Sequence, residues 1–308
     1  IAGPWKNKIR RPALEVELSY EELVDTFFYA RPKRLALKFA PRLFWRRILD
    51  KRTRGNALTI GLLRGCLDSG VTIWASAVAK ELCVHEDRVT GIQIERNGTR
   101  VRVEAIKGVV LASGGFEWNA VMMAKYFPGP VEWTASPTTN TGDGHRMAAE
   151  VGGKLDHMDQ ALIMGTTPVS YEGRSDHGLP AADYFLPHSM IVNRHGLRFV
   201  NEKQMNIGLA FDERDPETGV PVHLPAWRIY DSQFATKYPH ALPKGKKGDD
   251  YFCADTLTEL AAQIGLNIKN LELTATRFSK FARTGNDQDF GRGASIWDRK
   301  RGGDPDPF

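Results

Sequence analysis

The feature that most restricts this chain is a pair of glycine clusters, each set where regular structure must stop. The first closes the run Gly108-Val109-Val110-Leu111-Ala112-Ser113-Gly114-Gly115-Phe116-Glu117. The second lies in Asn140-Thr141-Gly142-Asp143-Gly144-His145-Arg146-Met147. Val109 to Ala112 has the form of a short strand buried on both faces of a parallel sheet. It ends at Ser113 to Phe116, a turn bare enough for a backbone to approach a ligand closely. In the second cluster two glycines flank a carboxylate and then open an alanine-rich helix, whose first amides lack intrahelical partners and can meet an anion or an acceptor atom. Asp143 reads as a cap for that helix, as part of a binding loop, or as both.

Length and composition set the frame for these turns. With 308 residues, 42% of them hydrophobic, the chain is long enough for two domains with ordinary cores. Cys66, Cys83 and Cys253 are far apart and form no C-x-x-C pair, so no disulfide framework or metal site is expected, and a reducing, cytoplasmic setting fits. The N-terminus Ile1-Ala2-Gly3-Pro4-Trp5 has no initiator methionine and no signal-peptide layout, which suggests an internal piece of a longer protein.

The formal net charge of +5 is concentrated. Ten Lys or Arg between Arg31 and Arg54 face the single acid Asp50, a local +9 that leaves the rest of the chain at −4. Leu35, Leu37, Phe39, Leu43, Phe44, Trp45, Ile48 and Leu49 interleave with these charges, giving basic helices broken near Pro41. The favoured reading is a solvated, positively charged helical face beside a phosphate-bearing cofactor. Peripheral contact with an anionic membrane surface through residues 31–54 is the alternative. Nucleic-acid binding is not expected, because no recognition motif or stacking platform accompanies the charge.

Along the chain, Ser19 is placed to cap a helix through Glu21, Glu22 and Leu23. Leu58, Leu62, Leu63 and Cys66 recur at helical spacing up to a stop at Ser69-Gly70. Val71 to Trp74 reads as a strand. Val78 to Val84, Val89 to Glu95 and Thr99 to Glu104 alternate apolar and polar residues, with Asn97-Gly98 as a hairpin turn. Past Met147, Ser189 to Asn193 and Leu197 to Glu202 flank the turn Arg194-His195-Gly196 as a β-hairpin, and Leu257 to Ile264 forms a helix.

The motifs Gly114-Gly115-Phe116-Glu117-Trp118-Asn119 and Asn140 to Met147, in this order, resemble the flavoprotein family of the 3-ketosteroid dehydrogenases and soluble fumarate reductases. Ile191-Val192-Asn193 with Arg198-Phe199-Val200-Asn201-Glu202 is similar to a hairpin of that family's cap domain. The resemblance covers about residues 56 to 308. It implies an α/β FAD-binding portion, Rossmann-like with a β-meander, over residues 1–146 (1–55 being the basic helical segment), and an α+β cap or substrate domain over 147–308. It further implies FAD held by Ser113, Gly114, Gly115, Phe116 and Asn140, Thr141, Gly142, Asp143, Gly144, with Ala77 and Val78 beside the adenine. Read from the residues alone, Val78 is equally an ordinary strand position.

In such a family a proton leaves the carbon beside a carbonyl, a hydride leaves the neighbouring carbon, and donors hold the developing enolate oxygen. The fumarate-reducing branch needs an arginine shortly after the hairpin, but here Lys203-Gln204-Met205-Asn206-Ile207 follow Glu202. Arg174, Arg194 and Arg198 are weak candidates to grip a carboxylate. The tyrosine expected after Asn201-Glu202 in a steroid dehydrogenase is also missing. Tyr184, Phe185, Leu186 and Met205 suit a hydrophobic ketone or steroid-like molecule, with an external electron acceptor completing the turnover. Tyr184, as donor, and His188, as a group titrating near neutrality, are the catalytic candidates. No G-x-G-x-x-G follows an N-terminal strand, and the family's C-terminal flavin-closing stretch has no counterpart here.

Overall fold

The computed structural model describes residues 18–19, 21–22, 32–127, 131, 133–171, 174–180, 184–243, 247–248 and 251–303. Packing divides the chain into two units, one of residues 72–162 with 166–181, the other of 1–71, 163–165 and 182–308. Leu23, Arg31 and Phe308 lie outside the described residues.

The first unit is built on an antiparallel meander. Strands β1 (Ala77–His85), β2 (Arg88–Arg96) and β3 (Thr99–Glu104) lie in that order, with Ala77 opposite Arg96 and Arg96 opposite Thr99. Asn97 and Gly98 both take positive φ, +52° and +76°, as a two-residue turn between such strands requires. Gly91 faces the backbone at Val103 so closely that any Cβ there would strike its carbonyl. Short helices α3 (Ala120–Tyr126) and α4 (Asp143–Glu150) follow, then a hairpin of β4 (Thr166–Tyr171) and β5 (Arg174–Pro180).

Two expected strands are absent. Residues 71–74 are irregular, with Val71 and Trp74 largely exposed, and Trp74 lies under the Arg96 guanidinium at 5.0 Å. Val109 to Ala112 is likewise unpaired and Val110 is 90% exposed. An apolar run becomes a buried strand only where a ladder receives it, and every ladder between strands among the described residues is antiparallel and elsewhere.

The second unit begins with helices α1 (Pro32–Ile48) and α2 (Arg54–Asp68). Helix α1 runs through Pro41 rather than breaking there. Proline removes one i→i−4 bond, and the flanking turns carry the helix on. Ahead of it, Ser19 Oγ accepts from Glu22 N at 3.2 Å while Glu22 Oε2 accepts from Ser19 N at 2.9 Å, a reciprocal cap. Helix α2 ends at Ser69-Gly70 as its spacing predicts, Gly70 at φ +75°.

Its main core packs β6 (Ser189–Val192) and β7 (Trp227–Tyr230) against α7 (Leu257–Ile264) and α8 (Ile268–Thr284), burying Met190, Val192, Ile229, Ala261 and Leu271. Helix α7 has the bounds its sequence predicts. Helices α5 (Gly208–Phe211), α6 (Ser232–Lys237) and α9 (Ile296–Gly302) complete the unit.

The hairpin at Arg194-His195-Gly196 is only half formed. The turn closes, with Asn193 N donating to Leu197 O and Gly196 N to Asn193 O, both at 2.9 Å, but the second arm makes a single bridge, Arg198 to Val192. The ladder partner of β6 is β7, Ser189 opposite Tyr230. The reason is Glu202, whose Oε1 accepts from Ile191 N at 3.1 Å and so takes a donor that a second arm would have used.

Candidate functional site

The two glycine turns come together within the first unit. Gly142 N donates to Gly115 O at 3.0 Å and Trp118 N to Asn140 O at 3.1 Å. Asn119 fastens both: its Oδ1 accepts from Met122 N at 3.1 Å as the N-cap of α3, and its Nδ2 donates to Thr141 O at 2.9 Å. The glycines are what permit this approach. A Cβ on Gly114, which sits at φ +84°, would lie 2.5 Å from Asn140 Oδ1; one on Gly142, at φ +81°, would overlap Met122 Sδ; one on Gly144 would overlap Ser113 Oγ.

Gly142, not Asp143, is the N-cap of α4. Asp143 is the first helical residue and its Oδ2 accepts from Thr141 Oγ1 at 3.2 Å. A glycine can take the left-handed conformation that this entry demands, and an acid in the first turn still meets the positive end of the helix. Ser113, Gly114 and Asp143 remain exposed while Gly142 and Gly144 are buried, so the joined turns present one polar, backbone-rich edge to solvent. Phe116 meets the His145 ring edge-on at 5.4 Å, and both His145 Nδ1 and Glu117 Oε2 are buried without a hydrogen-bond partner among the described residues. Beside this edge, Arg146 Nη2 donates to Lys80 O at 3.2 Å, tying α4 to β1. Ala77 and Val78 open β1, paired with Arg96 and Glu95, and Val78 is 53% exposed.

The second unit carries Tyr184 and His188 on one loop. Tyr184 is half-buried between two apolar clusters, against the Phe185 ring at 5.7 Å, and a Cβ on Gly165 would come within 3.0 Å of it. His188 is 15% exposed in its side chain, with Nε2 3.2 Å from Lys237 Nζ and Nδ1 3.8 Å from Asp231 Oδ2. Phe185 and Leu186 are fully buried in the core of this unit, whereas Met205 is exposed.

Beneath that loop lies a charged core that sequence reasoning did not find. Glu202, wholly buried, accepts from Arg198 Nε and Nη2 at 3.0 Å each and from Arg292 Nη1 at 3.0 Å; Arg198 Nη2 also reaches Asp287 Oδ2 at 3.0 Å. The Arg198 guanidinium lies 4.7 Å from the Phe278 ring and 5.1 Å from that of Phe290. Burial works to raise the Glu202 carboxyl, but the charges of Arg292 and Arg198 prevail and hold it below the usual carboxylate range. Next in sequence, Lys203 is held down at about 7, first by burial and then by the charge of Arg292, while its Nζ donates to Asp298 O at 2.7 Å. Asp287 and Arg292 lie 89 and 90 residues from their partners in sequence, and no local spacing signals them.

Two of the three arginines considered for gripping a carboxylate are already engaged, and the side chain of Arg174 lies outside the described residues. Arg198 is committed to Glu202 and Asp287, and Arg194 donates to Pro221 O and Val222 O at 2.9 and 3.1 Å.

A profile of the FAD binding domain matches residues 30–302. The chain belongs to the FAD-binding-domain family. Among the relatives of this FAD-binding-domain chain is the 3-oxosteroid 1-dehydrogenase of Mycobacterium tuberculosis (strain ATCC 25618 / H37Rv), 32% identical over 321 residues, covering 97% of this chain and 56% of that protein. The 4-oxocyclohexanecarboxylate 2-dehydrogenase of Sinomonas cyclohexanicum is 33% identical over 261 residues, covering 80% of this chain and 44% of that protein. In structure, the chain matches 3-ketosteroid delta1-dehydrogenase from Sterolibacterium denitrificans, solved with 1,4-androstadiene-3,17-dione, at a TM-score of 0.69 and 30% identity, over 93% of this chain and 55% of that one. The chain thus spans about half the length of the curated relatives it matches.

Proposed function

We propose that the protein to which this chain contributes is an FAD-dependent dehydrogenase that acts on a carbon–carbon bond beside a ring ketone, 3-ketosteroid-dehydrogenase-like in substrate. The observation that carries this is the convergence of Ser113 to Phe116 with Asn140 to Gly144 into one glycine-cleared edge, in a chain of the FAD-binding-domain family. Ser113, Gly114, Gly115, Phe116 and Asn140 to Gly144 would hold the flavin, with Ala77 and Val78 toward its adenine. FAD supplies the hydride acceptor. Tyr184 is the donor to a developing enolate oxygen, and His188 the titratable group beside it. The printed names of two relatives, a 3-oxosteroid and a 4-oxocyclohexanecarboxylate dehydrogenase, share a cyclic ketone, which favours that substrate class. An external electron acceptor belongs to this reading.

In functional terms residues 1–146 form the Rossmann-like flavin portion and 147–308 the α+β cap. The packing units are drawn differently, since 1–71 group with 163–165 and 182–308, while 147–162 and 166–181 group with the flavin turns. Peripheral membrane contact through residues 31–54 is supported by the exposure of Leu37, Phe44, Trp45 and Ile48 among basic residues of α1. No helix among the described residues is long and apolar enough to cross a membrane.

The test is anaerobic titration of the intact, FAD-loaded protein with a 3-ketosteroid and with a substituted cyclohexanone. Bleaching of the flavin absorbance by either supports the proposal; no bleaching by any cyclic ketone ends it.

A further inference from the structure

His188 holds φ at +60°, a left-handed conformation that is uncommon for a residue with a side chain. The constraints are visible on both sides. Arg292 Nη1 donates to Ser189 O at 2.7 Å and Nη2 to Leu186 O at 3.1 Å, so one guanidinium grips the carbonyls that bracket the histidine. Ser189 Oγ donates to Leu186 O at 2.8 Å, and Asp231 N donates to His188 O at 3.3 Å.

The ring is then set between the two ends of α6. Lys237, the last residue of that helix, places Nζ 3.2 Å from Nε2. Asp231, its N-cap, uses Oδ1 to accept from Phe234 N at 3.0 Å and turns Oδ2 toward Nδ1 at 3.8 Å. An ammonium has protons to give and no lone pair, so Nε2 is the acceptor and the ring proton sits on Nδ1, facing the carboxylate.

We infer that Lys237 is a positioning residue that fixes His188 as one tautomer, the imidazole protonated on Nδ1, while Arg292 holds the backbone that presents it. This rests on the reading that His188 serves the reaction. It adds a condition to that reading: Nε2 can take a proton only when Lys237 swings away from it.

The test is long-range ¹H–¹⁵N correlation of the histidine rings in the intact, FAD-loaded protein labelled with ¹⁵N-histidine, with His188→Gln identifying the resonance. The expected wild-type ring is neutral and protonated on Nδ1. Lys237→Arg keeps that pattern and Lys237→Met converts it to the Nε2-protonated form, with kcat falling tenfold or more in Lys237→Met, KM little changed, and kcat largely restored in Lys237→Arg. A wild-type ring protonated on Nε2, or a Lys237→Met ring identical to wild type, overturns the inference, and the wild-type spectrum decides even where Lys237→Met does not fold. Wild-type turnover in His188→Gln, with the tautomer as expected, would instead remove His188 from the chemistry and leave the positioning intact.

Discussion

The glycine edge of residues 113–144 and the charged core around Glu202 bring distant backbone segments together by opposite means. In the first, side chains are absent: Gly114, Gly142 and Gly144 leave room that any Cβ would fill, and the bonds between the turns are mostly backbone to backbone. In the second, side chains do the joining: Glu202 receives two arginines and a backbone amide in a place where water does not reach. The first arrangement is specified by what each position cannot carry. The second depends on partners that exist only once the chain has folded, and a missing partner there strands a buried charge.

That contrast predicts a ranking of mutational effects. Glu202→Ala leaves Arg292 without its carboxylate and Arg198 with Asp287 alone, and should cost roughly 3–5 kcal/mol, seen as a fall in the urea midpoint of the intact protein. A loss under 1 kcal/mol would mean that the network does not hold the unit together. Gly142→Ala should cost about 1–3 kcal/mol, because the left-handed backbone is strained by a Cβ that also meets Met122 and Phe116. It should also weaken FAD binding at least tenfold, whereas Glu202→Ala in protein that remains folded should spare it; equal losses in both would erase the distinction drawn here.

The pH dependence sharpens the comparison. Lys203 has its pKa lowered from 10.5 to about 7 in the fold. Between those values the unfolded chain binds the proton and the folded chain does not, so the stability cost of burying this lysine is full below about 7 and is relieved as pH rises toward 10.5. Urea midpoints measured upward from neutral pH should therefore show a gain of roughly 1 kcal/mol or more from this residue. Lys203→Met should flatten that slope, and an unchanged slope would reassign it to other groups. Glu202 acts at the other end, its lowered pKa giving stability that is present above the ordinary carboxylate range and lost as pH falls through the folded value. The smallest effect belongs to Asn119→Ala, about 1 kcal/mol from the lost cap of α3, together with a looser join between the turns that hydrogen exchange at Gly142 would report.

The meander, helix α7 and the glycine edge were legible in the sequence because each rests on local rules: alternation, capping, and a turn that accepts only glycine. Val109 to Ala112 and Val71 to Trp74 were misread as strands because an apolar run records a preference for burial, not the presence of a neighbour to pair with. Asp143 was placed one position off, since the cap of α4 is a glycine whose conformation, rather than its side chain, does the work. The second arm of the hairpin failed for a different reason, the Glu202 carboxylate having taken the Ile191 amide.

Sequence alone determined where this chain can bring two bare backbone turns together, because a missing Cβ is a property of the residue itself. Only the tertiary structure decided which charges are buried together and which groups face the two nitrogens of His188. Electrostatic partners are chosen by distance in space, and Arg292 comes within 3.0 Å of Glu202 from 90 residues away.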